Sequence, residues 1–161
     1  MRNLFLPSAA FATLLMCSCG GDSSNDVTAE IVALERASLD RWGKGDPQGY
    51  IENFATEITY FDPAVEKRVD GLPAMQAYLT PFTGKIKVDH FDMIGAKVQH
   101  HATVAVLTFN LISYGKKPDG TDTTLARWNS TEVYAQIEGK WKIVHNHWSY
   151  IKPELKQPVQ E

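Results

Sequence analysis

The chain has no cysteine beyond residue 19, and its only two, Cys17 and Cys19, lie in the first twenty residues. That excludes an internal disulfide and a cysteine nucleophile from the folded domain. Concentrated basic charge is missing too. The formal net charge is −3, and the nearby lysines Lys85 with Lys87 and Lys116 with Lys117 are scattered, which excludes a nucleic-acid surface. The longest apolar run, Leu4 to Met16, falls short of the roughly 20 residues that a spanning helix needs. No Ser–His–Asp order, glycine-rich phosphate loop or zinc-ligand spacing occurs. No repeat or low-complexity segment is present after residue 26. Nothing in the sequence calls for a cofactor or a metal.

What is present starts with an export signal. Arg2 supplies the positive start, Leu4 to Met16 the apolar core, and small residues follow. Met16-Cys17-Ser18-Cys19 has the form of a bacterial lipoprotein box, with Cys19 as the lipid-bearing residue. This reading makes residues 1–18 the signal, 19–26 a flexible polar tether, 27–153 one domain and 154–161 a loose tail. The mature protein is then a periplasmic or outer-membrane lipoprotein, touching the membrane only through its N-terminal lipid. An ordinary cleaved signal with soluble release is the alternative.

Within the domain, Asp26 or Thr28 can cap a helix running to about Gly43. Val27, Ile31, Leu34, Leu39 and Trp42 form its apolar stripe. Glu35 and Ser38 fall inside that stripe, and a carboxyl there is costly to bury alone. Either the helix turns Glu35 outward, or Glu35 looks into a cavity. Asp46-Pro47 opens a short second helix to about Phe54. Glu57 to Asp62 reads as a strand, Lys67 to Val69 as a short one, and Leu72 to Pro81, with Met75, Tyr78 and Leu79, as a third helix. Long strands follow over 85–101, 103–114, 123–137 and 139–150, with a bulge expected at Gly95. The last strand alternates: Trp141, Ile143, His145 and His147 on one face, Lys142, Val144, Asn146, Trp148 and Tyr150 on the other. The result is an α+β domain.

These pieces resemble the NTF2-like superfamily, with its SnoaL-like and DUF4440 groups. The resemblance is strongest to the association domain of calcium/calmodulin-dependent protein kinase II and its bacterial relatives. Gly139-Lys140-Trp141, Val144-His145-Asn146-His147, Phe61-Asp62-Pro63 and Asp119-Gly120 carry it, across about residues 28–152. It implies a cystatin-like cone, with three N-terminal helices packed on a strongly curved, mainly antiparallel sheet. It also implies a homodimer through the outer sheet face, and it puts the histidines at that interface. The arginines that point into the kinase domain's cone fall here on Asn110, Glu132 and Trp148, so an anion site is not implied.

The resulting expectation is an aromatic pocket with a few convergent polar groups. Asn110, Trp128, Asn146, Trp148, Tyr60 and Met75 are its candidate ligand-binding residues. Leu107, Phe109, Leu111, Val133, Ile143 and Trp141 are expected on the opposite, subunit-facing side. Three functions remain open. The first is a binding domain for a small, partly apolar molecule. The second is an isomerase, cyclase or dehydratase with Glu35 or Glu132 as base and Tyr60 or Asn110 steadying an enolate. The third is assembly without catalysis. Two carboxyls sharing one pocket would push one pKa upward.

Overall fold

The computed structural model describes residues 23–152. The export signal, Cys19, the start of the tether and the tail after residue 153 lie outside the described residues. Helix α1 (Ser23–Gly43) opens the fold and begins inside the stretch expected as tether. A single turn, α2 (Gln48–Ile51), follows, then β1 (Phe54–Phe61), β2 (Val69–Asp70) and α3 (Leu72–Leu79). A 3-10 turn at Thr80–Phe82 leads into β3 (His90–His101), β4 (Val104–Lys116), β5 (Asp122–Ile137) and β6 (Lys140–Tyr150). The expected three helices are corrected in one respect: the second is a four-residue turn, so only two are of any length, while α3 follows the two strands as expected.

All six strands form one sheet in the order β2-β1-β6-β5-β4-β3. Among the described residues only the β1–β6 pair is parallel. The chain reverses between β5 and β6 at Glu138 and Gly139, with φ of 51° and 75°, the positive pair that a type I′ hairpin turn uses. Gly95 has φ 62°, and the β3–β4 register shifts between Ile94 and Lys97, so the expected bulge is present. A second irregularity governs the interior. Val133 pairs with His145 but Tyr134 pairs with Ile143, leaving Val144 as one extra residue in β6. Side chains alternate along a strand only while the register holds. Trp141 and Ile143 are therefore buried, and so is Asn146 three residues on, while His147 is exposed.

Helix α1 lies against α2 and β3, and α3 against β1. The core between helices and sheet includes Ile31, Ile58, Met75, Leu107, Tyr134 and Ile143. Ser38 shows why a hydroxyl sits in the apolar stripe of α1. Its Oγ lies 3.0 Å from both the Leu34 and the Gly49 carbonyl oxygens, which share its one hydrogen, and it accepts from Asn53 Nδ2. This stitches α1 to α2 at a place where Gly49 has no room for a side chain: an added Cβ would come within 2.6 Å of Arg41 Cβ.

Candidate functional site

Glu35 is fully buried on α1 and Glu132 fully buried on β5. The Tyr50 hydroxyl donates to Glu35 Oε1 at 2.7 Å. Glu132 accepts the Tyr134 hydroxyl on Oε2 at 2.6 Å and Asn146 Nδ2 on Oε1 at 2.8 Å. Glu35 Oε2 receives no donor, and a buried acceptor left alone is costly. A proton on that oxygen resolves the problem, because Glu132 stands beside it as acceptor. Burial, then the charge of Glu132, raises the Glu35 pKa well above the usual carboxyl range. Burial raises Glu132 as well, but hydrogen bonds from Glu35, Tyr134 and Asn146 pull it back. Both directions, with Glu35 raised the more strongly, fit a proton shared between the two carboxyls and favoured on Glu35.

Beside this pair lies a cavity of about 350 Å³, within the size range of small-molecule sites. Tyr50 and Asn146 form part of its wall, and neither Glu35 nor Glu132 does. The two carboxyls sit one side chain behind the wall. On the cavity wall, Asp62 Oδ2 accepts the hydroxyls of Tyr60 at 3.0 Å and Tyr78 at 2.6 Å, and its Oδ1 accepts the Ala64 N–H at 2.7 Å. Burial, then the Asp62 charge, drives the Tyr60 pKa well above its ordinary value. On the sheet side, Trp128 packs edge-on against Trp148 and lies 4.2 Å, centroid to centroid, from Tyr150. The Trp128 indole N–H donates to Ser113 Oγ at 3.2 Å.

Of the residues singled out in the sequence, Tyr60, Trp128, Asn146 and Trp148 meet at this cavity. Asn110 does not. It is exposed on the outer face, where its amide donates to Asn129 Oδ1 at 2.6 Å; the inward placement of Asn110 is corrected. Leu107, Phe109, Leu111, Trp141 and Ile143, expected outside, are instead buried in the core. In β4 the alternation runs one residue out of phase with the expected one, because Leu107, not Asn110, shares the inner face with Glu132. In β6 the extra Val144 reverses the phase. Met75 is fully buried in the core and lines no part of the cavity.

His145 and His147 lie beyond the bulge, against Phe61, and His145 Nδ1 meets Thr59 Oγ1 at 2.8 Å. Burial, then the neighbouring His147, lowers the pKa of His145. Asp89, His90 and Asp122 come together as a surface group able to hold a cation, but the Lys116 ammonium already bridges both carboxylates. Asp62 and Tyr78 are the site residues that sequence reading undervalued. In the sequence Asp62 is simply the last residue of the strand expected over 57–62, and only the fold brings Tyr78 of α3 onto it.

The sequence model of the calcium/calmodulin dependent protein kinase II association domain matches residues 27–152. Among solved structures, a proposed ketosteroid isomerase from Parabacteroides distasonis is 38% identical, with TM-score 0.68, covering 80% of this chain and 90% of its own. The association domain of C. elegans CaMKII is 23% identical, with TM-score 0.68, over 80% of this chain and 99% of its own. An NTF2-like protein of unknown function from Pseudomonas putida is 18% identical, with TM-score 0.67, over 85% and 96%. The last two likenesses speak for the fold alone. No functionally curated protein matches the chain significantly.

Proposed function

We propose, from the premise that this chain belongs to the calcium/calmodulin-dependent protein kinase II association domain family of the NTF2-like superfamily, that it is a binding domain. It holds a small, partly apolar molecule between helices and sheet. One observation carries the reading: a cavity of about 350 Å³ walled mainly by aromatic and aliphatic side chains, with a few polar groups among them, chiefly Asp62, Ser113, Asn146 and the tyrosine hydroxyls. Such a site buries an apolar body and fixes it by a few polar contacts. A soluble aromatic probe such as 2-naphthol should bind saturably, one per chain, by calorimetry. Ala126→Trp, which fills a half-buried position on the cavity wall, should weaken it at least about tenfold, or about 1.4 kcal/mol. Equal binding to both proteins would put the probe elsewhere and sink the reading.

Isomerase, cyclase or dehydratase chemistry is the second reading. The raised proton affinity of Glu35 and the similarity to a proposed ketosteroid isomerase favour it. Geometry weighs against it: a general base must reach the proton it takes, and Tyr50 and Asn146 stand between the carboxyls and the cavity.

Self-association through the outer sheet face belongs to the same proposal. The name of the C. elegans domain supports it, and so do the half-buried Val106 and Val133, paired across β4 and β5. The face also carries Thr108, Thr131 and His147, so the expected contact is more polar than a core. Sedimentation equilibrium should find a dimer, and Val133→Glu a monomer. A monomeric wild type would remove self-association and leave the cavity reading intact.

A further inference from the structure

The cavity wall is unbalanced in two ways. The first is charge. Asp62 is the only ionisable carboxylate, lysine, arginine or histidine among the residues that line it. Its three hydrogen bonds come from neutral donors, two tyrosine hydroxyls and a backbone N–H. Among the described residues no lysine, arginine or histidine forms an ion pair with it. The carboxylate is therefore solvated by dipoles but not neutralised, on the wall of a mainly apolar space.

The second imbalance is in hydrogen bonding. Several of the wall's donors already have acceptors within the protein. The Tyr50 hydroxyl is engaged by Glu35, the Tyr60 and Tyr78 hydroxyls by Asp62, the Trp128 indole by Ser113, and the Asn146 amide N–H by Glu132. Among the lining residues, the buried polar atom left without a partner is an acceptor. Asn146 is 1% exposed, and its Oδ1 has no partner. Its orientation is set from behind, since the amide must turn its N–H group toward the charged Glu132. Ten of the lining residues carry aromatic rings, and the faces of such rings are negative.

From these observations we infer that the ligand is an organic monocation: a protonated amine or quaternary ammonium on an apolar body, its charge held at Asp62 among the rings of Tyr60, Tyr78 and Tyr150. This deepens, and rests on, the binding reading above. Tyr60 and Tyr78 are 5.8 Å apart by centroid, and Tyr150 lines the same cavity. Cations are attracted to aromatic faces as well as to carboxylates. An anion would meet the Asp62 carboxylate and the unpartnered Asn146 carbonyl oxygen, both repulsive to it.

Three probes that share a phenylethyl body separate the possibilities by calorimetry at neutral pH: 2-phenylethylamine as cation, 2-phenylethanol as neutral isostere and 3-phenylpropionate as anion. The amine should bind at least about tenfold tighter than the alcohol, and the carboxylate weakest. In Asp62→Asn the amine and the alcohol should become equal, with the alcohol's affinity kept. Equal binding of amine and alcohol to the wild type overturns the inference and leaves the binding reading standing. So does an Asp62→Asn protein that keeps the preference, or tightest binding of the carboxylate. Absence of binding by all three overturns the binding reading and the inference with it. The wild-type series decides even if the variant does not fold.

Discussion

Glu132→Ala should lower the unfolding free energy by about 3–5 kcal/mol, the cost of breaking a buried, hydrogen-bonded charge cluster. The residue accepts Tyr134 and Asn146, and the proton on Glu35 points at it. Truncation strands three buried donors at once and opens a void between α1 and the sheet. Glu35→Gln is the counterpart. If Glu35 is the protonated partner, an amide can donate to Glu132 and still accept from Tyr50, so the loss should be about 1 kcal/mol or less. Urea denaturation of the two variants beside the wild type measures both. Equal losses would mean that the proton is not localised as drawn.

Stability should also fall as pH rises, an unusual sign for a carboxyl. Unfolded, Glu35 releases its proton near pH 4.3; folded, it keeps it, because burial and the Glu132 charge raise its pKa well above the ordinary value. Unfolding above pH 4.3 therefore expels a proton. The stabilisation is complete below that pH and is lost by about 1.4 kcal/mol per pH unit until the folded pKa is reached. His145 works the other way. Its pKa is lowered by burial, so its contribution grows as pH rises toward about 6.5, its unfolded value. Asp46, Glu52 and Asp70, held down chiefly by arginine partners, lose their contribution only under acid conditions. Glu35→Gln retains these opposing groups and removes the Glu35 slope. Denaturation midpoints of wild type and variant from pH 5 to 8 should therefore diverge. Parallel curves would show that Glu35 is already ionised in the folded protein.

Much of this was legible in advance, and the misses have specific causes. A glutamate and a serine in the apolar stripe of α1 signalled that something polar waited inside, and Glu35 and Ser38 both found buried partners. Trp128, Ser130, Glu132 and Tyr134 share the inner face of β5, as counting in twos requires. On β4 the family alignment was followed over the residues themselves. Leu107, Phe109 and Leu111 are plainly the more apolar set, and burial follows them. On β6 no counting rule could succeed, because the register changes at Val144 and nothing in Ile143-Val144-His145 marks a bulge. The Asp62 cluster was hidden for a different reason. Its partner Tyr78 is sixteen residues away on a helix, and local patterning carries no information about contacts made by docking.

The extra residue at Val144 also divides labour within a single strand. Before it, Trp141 and Ile143 are fixed by packing; after it, Asn146, Trp148 and Tyr150 face the hollow. A strand in uninterrupted phase ties every inward position to every other. Here the two stretches are geared separately, so side chains that line the cavity can be exchanged while the segment packed in the core keeps its own alignment.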